Sequence, residues 1–348
     1  LSAHRCEAQG SPRAGKRGVS DNTAQQPAAQ DRSAARAFAI RVPASTSNLG
    51  AGFDAVGMAI GRWLDIIARI RPNDSPVSIR RAGTLSVLAC AAEDDLVWRG
   101  FVAACTVLRR TPPRGVDIDA TSDIPVARGL GSSAAAVVAG ALLANAALDG
   151  DLDAAAIIDI AAELEGHPDN VAPSTLGGAV LSVRSSGHHY TSVPLTVHSS
   201  LRFVFIVPDF EVRTSVARAA LPESIAFATA VNAAGRDAAL VAGLQSGDTE
   251  ILRPALDDVL HVPFRRALVR GYDTVTAAAI GAGAIGATLS GSGSTIVAVT
   301  HKDNATAVSE TAQRAWRSLG VVVYAFITAA EPNGAIVNAA RAPSTSHF

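Results

Sequence analysis

Residues 124–136 read IPVARGLGSSAAA, and several chemically useful properties coincide there. Gly129 and Gly131 let the backbone turn sharply and come close to a ligand. Ser132 and Ser133 are of a type that starts helices as N-caps, and the alanines behind them are strong helix formers. Such a loop brings unpaired backbone N–H groups and the positive end of a helix dipole to one point, which suits a phosphate. Arg128 adds a full charge beside it. The run Pro125, Val126, Ala127, Arg128, Gly129, Leu130, Gly131, Ser132, Ser133 and Ala134 is the candidate phosphate-binding loop.

Two commoner phosphate folds do not fit the surroundings. Gly129, Gly131 and Ala134 satisfy the dinucleotide fingerprint, which should follow directly on a buried strand and be answered by an acidic residue at a strand end. Here SDIPVA, with its proline, intervenes, and the acidic candidate Asp149 falls in a loop after a helix. The P-loop pattern needs a lysine after its last glycine, and none is near.

The elements that must position this loop are legible in part. The segment 37–45 reads as a strand closed by Pro43, and 63–70 alternates enough to pair with it. Helical spacing is expected over 96–108, about 132–148 and 152–164, with strands at 116–120 and 179–183. At residue 201 the run LRFVFIV opens a new pattern of strand, helix, helix and strand. Interleaving of this kind predicts a two-domain α+β enzyme. The expected divisions are a disordered extension over 1–36, an N-terminal domain over 37–199 and a C-terminal domain over 200–345. The extension also reads as an over-called start, since Leu1 is not methionine.

Composition excludes several classes. Apolar residues form 48% of the 348, which suits a globular chain, and 30 basic residues face 31 acidic ones without any like-charge block. Neither a nucleic-acid nor a membrane footprint is expected. Lysine occurs only at Lys16 and Lys302, so anion binding must rest on arginine and backbone. The most apolar stretch, 134–148, is broken by Gly140 and Asn145 and reads as a buried helix. Cys6, Cys90 and Cys105 have no metal-type spacing, which favours a reducing, cytoplasmic location.

Four segments in order carry a resemblance. VPASTSNLGAGFDAVGM (42–58), the glycine loop, ELEGHPDNVAPSTLGG (163–178) and ATLSGSGSTIV (287–297) together resemble the motifs of the GHMP kinases, and among them the homoserine kinases. The resemblance implies a ribosomal protein S5 domain 2-like N-terminal domain and a ferredoxin-like C-terminal one. It implies ATP bound on the 125–134 loop and Mg²⁺ held by Ser133 and Glu165, with Glu163 two residues away as the competing assignment. L-homoserine is the implied substrate, contacted by Asn48, Asp54, His167, Asn170, Arg218 and Arg265. Asn170, Arg218 and Arg265 are the implied catalytic set. Arg218 comes from TSVARAALP and Arg265 from HVPFR, and a guanidinium fork fits a carboxylate or phosphoryl oxygens. The role of Asp169 stays open. Ser294 replaces a usual proline, and Asp95 stands where many relatives carry asparagine near the adenine. The expected activity is phosphorylation of the homoserine hydroxyl in threonine biosynthesis. Another hydroxy amino acid or small alcohol as acceptor, a nucleotide-binding regulator without turnover, and a homodimer remain open.

Overall fold

The computed structural model describes residues 36–339 apart from 72, 73, 186 and 188, and these belong to one compact unit. The expected disordered extension lies outside the described residues except for Arg36. That residue is already in a strand, with its guanidinium on the Asp149 carboxylate at 2.7 and 3.0 Å.

The first half of the chain runs β1 (Arg36–Asn48), β2 (Gly52–Ile70), β3 (Ser78–Gly83), α1 (Leu96–Val107), β4 (Val116–Ser122), α2 (Ser132–Ala147), α3 (Ala154–Glu165), α4 (Val171–Leu176), β5 (Ala179–Arg184) and β6 (Tyr190–Leu195). β1 does not stop at Pro43. It continues to Asn48 across a register shift between Pro43 and Ala44, a place where a sheet tolerates a residue without an N–H. β2 is the spine of this sheet. It pairs with β1 along its length, with β4 through residues 64–70 and with β5 through residues 56–58. β11 (Ile336–Ala339) closes the other edge of β1.

The second half opens with β7 (Leu201–Pro208) and then runs through α5 (Thr214–Ala219), α6 (Phe227–Ser246), α7 (Thr249–Ala255), α8 (Val262–Arg265) and α9 (Tyr272–Gly281). β8 (Gly286–Leu289), β9 (Ile296–His301), α10 (Ala305–Ser318) and β10 (Val323–Thr328) follow, giving a four-stranded antiparallel sheet in the order β10-β7-β9-β8. Where two helices were expected between β7 and the next strand, five occur. Three of them have seven residues or fewer, too short to hold by propensity alone.

β7 explains how the halves join. Phe203, Phe205 and Val207 enter the core shared with β1, β2, α1 and α2, while Val204 and Ile206 enter a second core around Trp316. Period-2 alternation with both faces covered produces the continuous apolar run seen in the sequence.

α1 and α2 cross at glycine contacts. A Cβ on Gly140 would lie 1.9 Å from the Val97 carbonyl oxygen, and one on Gly100 2.2 Å from that of Val137. Gly140→Ala is expected to cost about 2–3 kcal/mol by forcing the helices apart. Chemical denaturation measures this, and a loss below about 0.5 kcal/mol would refute the close-packed crossing.

Candidate active site

The glycine loop is wedged between two distant parts of the chain. On one side the Ser45 N–H donates to the Leu130 carbonyl at 3.3 Å. On the other the Ser290 hydroxyl donates to the Gly129 carbonyl at 2.6 Å and shares a 2.8 Å hydrogen bond with Thr46 Oγ1. Gly129 and Gly131 have φ of 71° and 68°, and added Cβ atoms would lie 2.1 Å from Ser290 O and from Ser45 Oγ respectively. The glycines are thus required first by packing, and closeness to a ligand is the consequence. Ser132 and Ser133 are not the N-caps expected of them. The cap is Gly131, in the left-handed conformation, and among the described residues no side-chain cap bonds the first N–H groups of α2. Those donors stay available to an anion.

A cavity of about 490 Å³ opens on this loop. Residues 125–133 line it, whereas Ala134 is fully buried in the core. The Arg128 side chain turns to the end of β7, where Nε and Nη2 donate to the carbonyls of Pro208 and Asp209 at 3.1 and 2.8 Å. Glu211 stands 3.6 Å from Nη1, so its charge is partly spent on structure.

α3 delivers the next group. Glu165 is its last residue, and Gly166, left-handed at φ 85°, turns the chain so that Glu165, His167, Asp169 and Asn170 all line the cavity. The Ser133 hydroxyl donates to Glu165 Oε2 at 2.7 Å. Burial, above all, pushes the Glu165 carboxyl up from its ordinary range, against the hydrogen bond from Ser133 and the nearby His167. Glu163 is exposed and outside the cavity lining. Asn170 donates from Nδ2 to Ser47 Oγ at 2.9 Å and accepts at Oδ1 from Ser45 Oγ at 3.1 Å, which fixes its amide.

The opposite side carries the charged pair. Arg218 grips Asp54 with both forks, Nη1 to Oδ2 at 2.6 Å and Nη2 to Oδ1 at 2.8 Å. Asn48 donates to the Gly291 carbonyl at 2.9 Å and accepts the Asp54 N–H at 3.1 Å, so its amide holds the turn that aims Asp54. Arg265 is only 2% exposed and donates from Nε to the Ala217 carbonyl at 3.1 Å. Burial and the neighbouring Arg218 lower its pKa.

Phe53 lies beneath both guanidiniums, with Arg265 5.1 Å and Arg218 5.6 Å from its ring centre. Fully buried His261 stacks on the same ring at 5.0 Å. Burial drives the His261 pKa down to about 4, so it adds no third positive charge there. Sequence reasoning missed Phe53, although it adjoins Asp54 in a quoted motif, and His261, two residues before Pro263 in HVPFR. Thr214 and Ser292, which line the cavity directly, were missed as well.

The two departures from the family pattern are accommodated. Ser294 is buried and donates to the Phe210 carbonyl at 2.5 Å, anchoring its loop. Asp95 caps α1 by accepting the Val97 N–H at 2.9 Å.

Family models for the GHMP kinases N terminal domain and the GHMP kinases C terminal match residues 95–178 and 239–318. The homoserine kinase of Picosynechococcus sp. is 38% identical over 301 residues, covering 86% of this chain and 98% of that protein. That of Deinococcus radiodurans is 39% identical over 277 residues, covering 79% and 88%. Among solved structures, homoserine kinase from Cytophaga hutchinsonii superposes with a TM-score of 0.78 at 31% identity, covering 87% of this chain and 98% of that one. L. major mevalonate kinase shares the fold alone, with a TM-score of 0.63 at 17% identity over 84% and 96%. The chain belongs to the GHMP kinases, and within them to the homoserine kinase family.

His167 gives the site a titration signature. Burial disfavours its charged ring, but Asp169, 2.5 Å from Nδ1, outweighs that and holds its pKa above 6.5. Because the folded ring binds its proton more tightly, its stabilising contribution is full below the unfolded histidine pKa. It is lost as pH rises through the raised value. In Asp169→Asn, with burial opposed only by the charge of Asp54, the His167 imidazole is expected to titrate at lower pH than in the parent by NMR. An unchanged titration would show that the carboxylate is not the cause.

Proposed function

We propose that the chain transfers the γ-phosphoryl group of ATP to the side-chain hydroxyl of L-homoserine, giving O-phospho-L-homoserine for threonine biosynthesis. One observation carries this reading: the uncapped N-terminus of α2, the Ser133–Glu165 pair and the Asp54–Arg218–Arg265 group all open on one cavity. Phosphoryl transfer asks for a cradle, a cation site and an aligned acceptor, and each has a place here.

The free N–H groups at the start of α2 suit the triphosphate. Ser133 and Glu165 offer the hard oxygen donors that Mg²⁺ takes, and the ion would supply charge neutralisation on the phosphates. The raised Glu165 pKa means that protons compete for this position as pH falls.

The acceptor end suits a zwitterion. A carboxylate and a guanidinium held edge to edge can exchange partners with an α-amino acid, Asp54 taking the ammonium and Arg218 the carboxylate. The pair is about one-third exposed, so its separation costs about 1 kcal/mol or less. Arg265, buried and held by Ala217, supplies a fixed second fork. Asp169, whose carboxylate lies within 4.8 Å of the ligand atoms of Asp54 and His167, extends the ammonium subsite, and His167 holds that carboxylate in place. Asn170 orients the hydroxyl. A loose transition state asks mainly for alignment and charge stabilisation, so no dedicated base is assigned.

Ser294 and Asp95, which lend support to a regulator without turnover, both have structural work and leave the clamp intact. We further place the division between two domains near residue 200. The enzyme is placed in the cytoplasm; among the described residues no helix is long and apolar enough to cross a membrane. A second copy of the chain is the candidate partner for assembly.

Coupled ADP release against homoserine, threonine, serine and mevalonate tests the assignment, with homoserine expected to lead clearly. Arg265→Ala should lower kcat/KM for homoserine by about a thousandfold. Equal rates across the acceptors would sink the substrate assignment, and a mild Arg265→Ala effect would remove the clamp.

A further inference from the structure

Beyond its phosphate and arginine regions the cavity has a largely apolar wall of Leu85, Leu88, Cys90, Leu96 and Val97, on which Asp94 and Asp95 are the charged members. A planar base of a nucleotide is the part of the substrates that such a wall would bury. One charged pair holds the wall. Arg81, in β3, donates through Nε to Asp95 Oδ2 at 2.8 Å, and its Nη2 lies 2.7 Å from the same oxygen. The other oxygen, Oδ1, is the α1 cap on Val97 N–H. The two side chains are only 13% and 9% exposed, so this carboxylate is committed on both oxygens away from water.

A buried carboxylate stripped of its counter-charge must reach water, take up a proton or bear a large desolvation penalty. Either movement would drag the start of α1, and Leu96 and Val97 with it. Arg81 is not itself among the residues lining the cavity. Its action on a ligand therefore runs through Asp95 and through Cys90, whose sulfur accepts from Arg81 Nη2 at 3.3 Å.

We propose that Arg81 is a positioning residue for nucleotide binding: by neutralising Asp95 it fixes the first turn of α1 and the apolar wall that receives the base. This deepens the kinase reading and rests on it for the identity of the ligand. An asparagine at position 95 would cap α1 comparably without needing a counter-charge. The charge of Arg81 is thus required because residue 95 is an aspartate, and the two positions must behave as a coupled pair.

The test is a double-mutant cycle on the full chain, using Arg81→Met, Asp95→Asn and both together. ATP affinity is measured by calorimetry without acceptor, beside KM for each substrate. Arg81→Met is expected to weaken ATP about tenfold while kcat and the homoserine KM stay within about twofold of the parent. Asp95→Asn should bind ATP as the parent does, and the double variant should return to within about twofold. Parent-like affinity in Arg81→Met, or a double variant as weak as Arg81→Met, would overturn the proposal. Should Arg81→Met not fold, the double variant decides, since parent-like ATP binding supports the pairing and weak binding removes it. These affinities do not depend on turnover, so a parent that binds ATP without phosphorylating homoserine would count against the kinase reading alone.

Discussion

The site depends on the absence of room for two Cβ atoms. Gly129 lies against Ser290 and Gly131 against Ser45, so one loop is held at once by β1 and by the turn before β9, elements some 245 positions apart (Ser45 to Ser290). That wedge sets where α2 begins. Because the residue at its cap is a glycine and not a serine, no side chain consumes the donors at the helix start. The same packing that excludes a side chain therefore creates the anion-binding edge. Any residue larger than glycine would press on Ser290 or Ser45 and be strained by its positive φ.

A second constraint operates at the acceptor side. Two guanidiniums near one another repel, and the fold answers with the face of Phe53 beneath both and the Asp54 carboxylate across one. Phe53 in turn rests on a histidine kept neutral by burial. The arrangement holds one carboxylate and two forks in a small volume, leaving one guanidinium in excess. That is the complement of an amino-acid zwitterion, and a poor complement of an uncharged alcohol.

Much of this was legible in the sequence where the signals are local. The glycine loop, α2, the alternation of β4 and the apolar run of β7 follow from neighbouring residues, and the motif order brought Asn48, Asp54, Ser133, Glu165, His167, Asn170, Arg218 and Arg265 to one cavity. What escaped depends on contacts between distant residues. β2 was seen only over 63–70, because Gly57 and Gly61 interrupt its pattern, although Gly57 is needed where the Asp169 carbonyl comes close. β3, reading SIRRAG, is mostly polar and half-exposed and has little intrinsic strand signal. The short α5, α7 and α8 are held by packing. The stack of Phe53 on His261 and the bond from Arg81 to Asp95 join positions whose closeness only the fold creates. Arg128 lines the cavity, and only its bonds to Pro208 and Asp209, which the fold creates, reveal that it is also a strut.

The central claim is that the backbone donors from Gly129 to Ser133, and no lysine, receive the triphosphate. The most direct measurement is a crystal structure of the chain with a non-hydrolysable ATP analogue, Mg²⁺ and homoserine. Phosphate oxygens should lie about 3 Å from amide nitrogens at the start of α2, with the acceptor hydroxyl between them and Arg265. A triphosphate bound away from that helix start, or an acceptor remote from Arg218 and Arg265, would contradict the account.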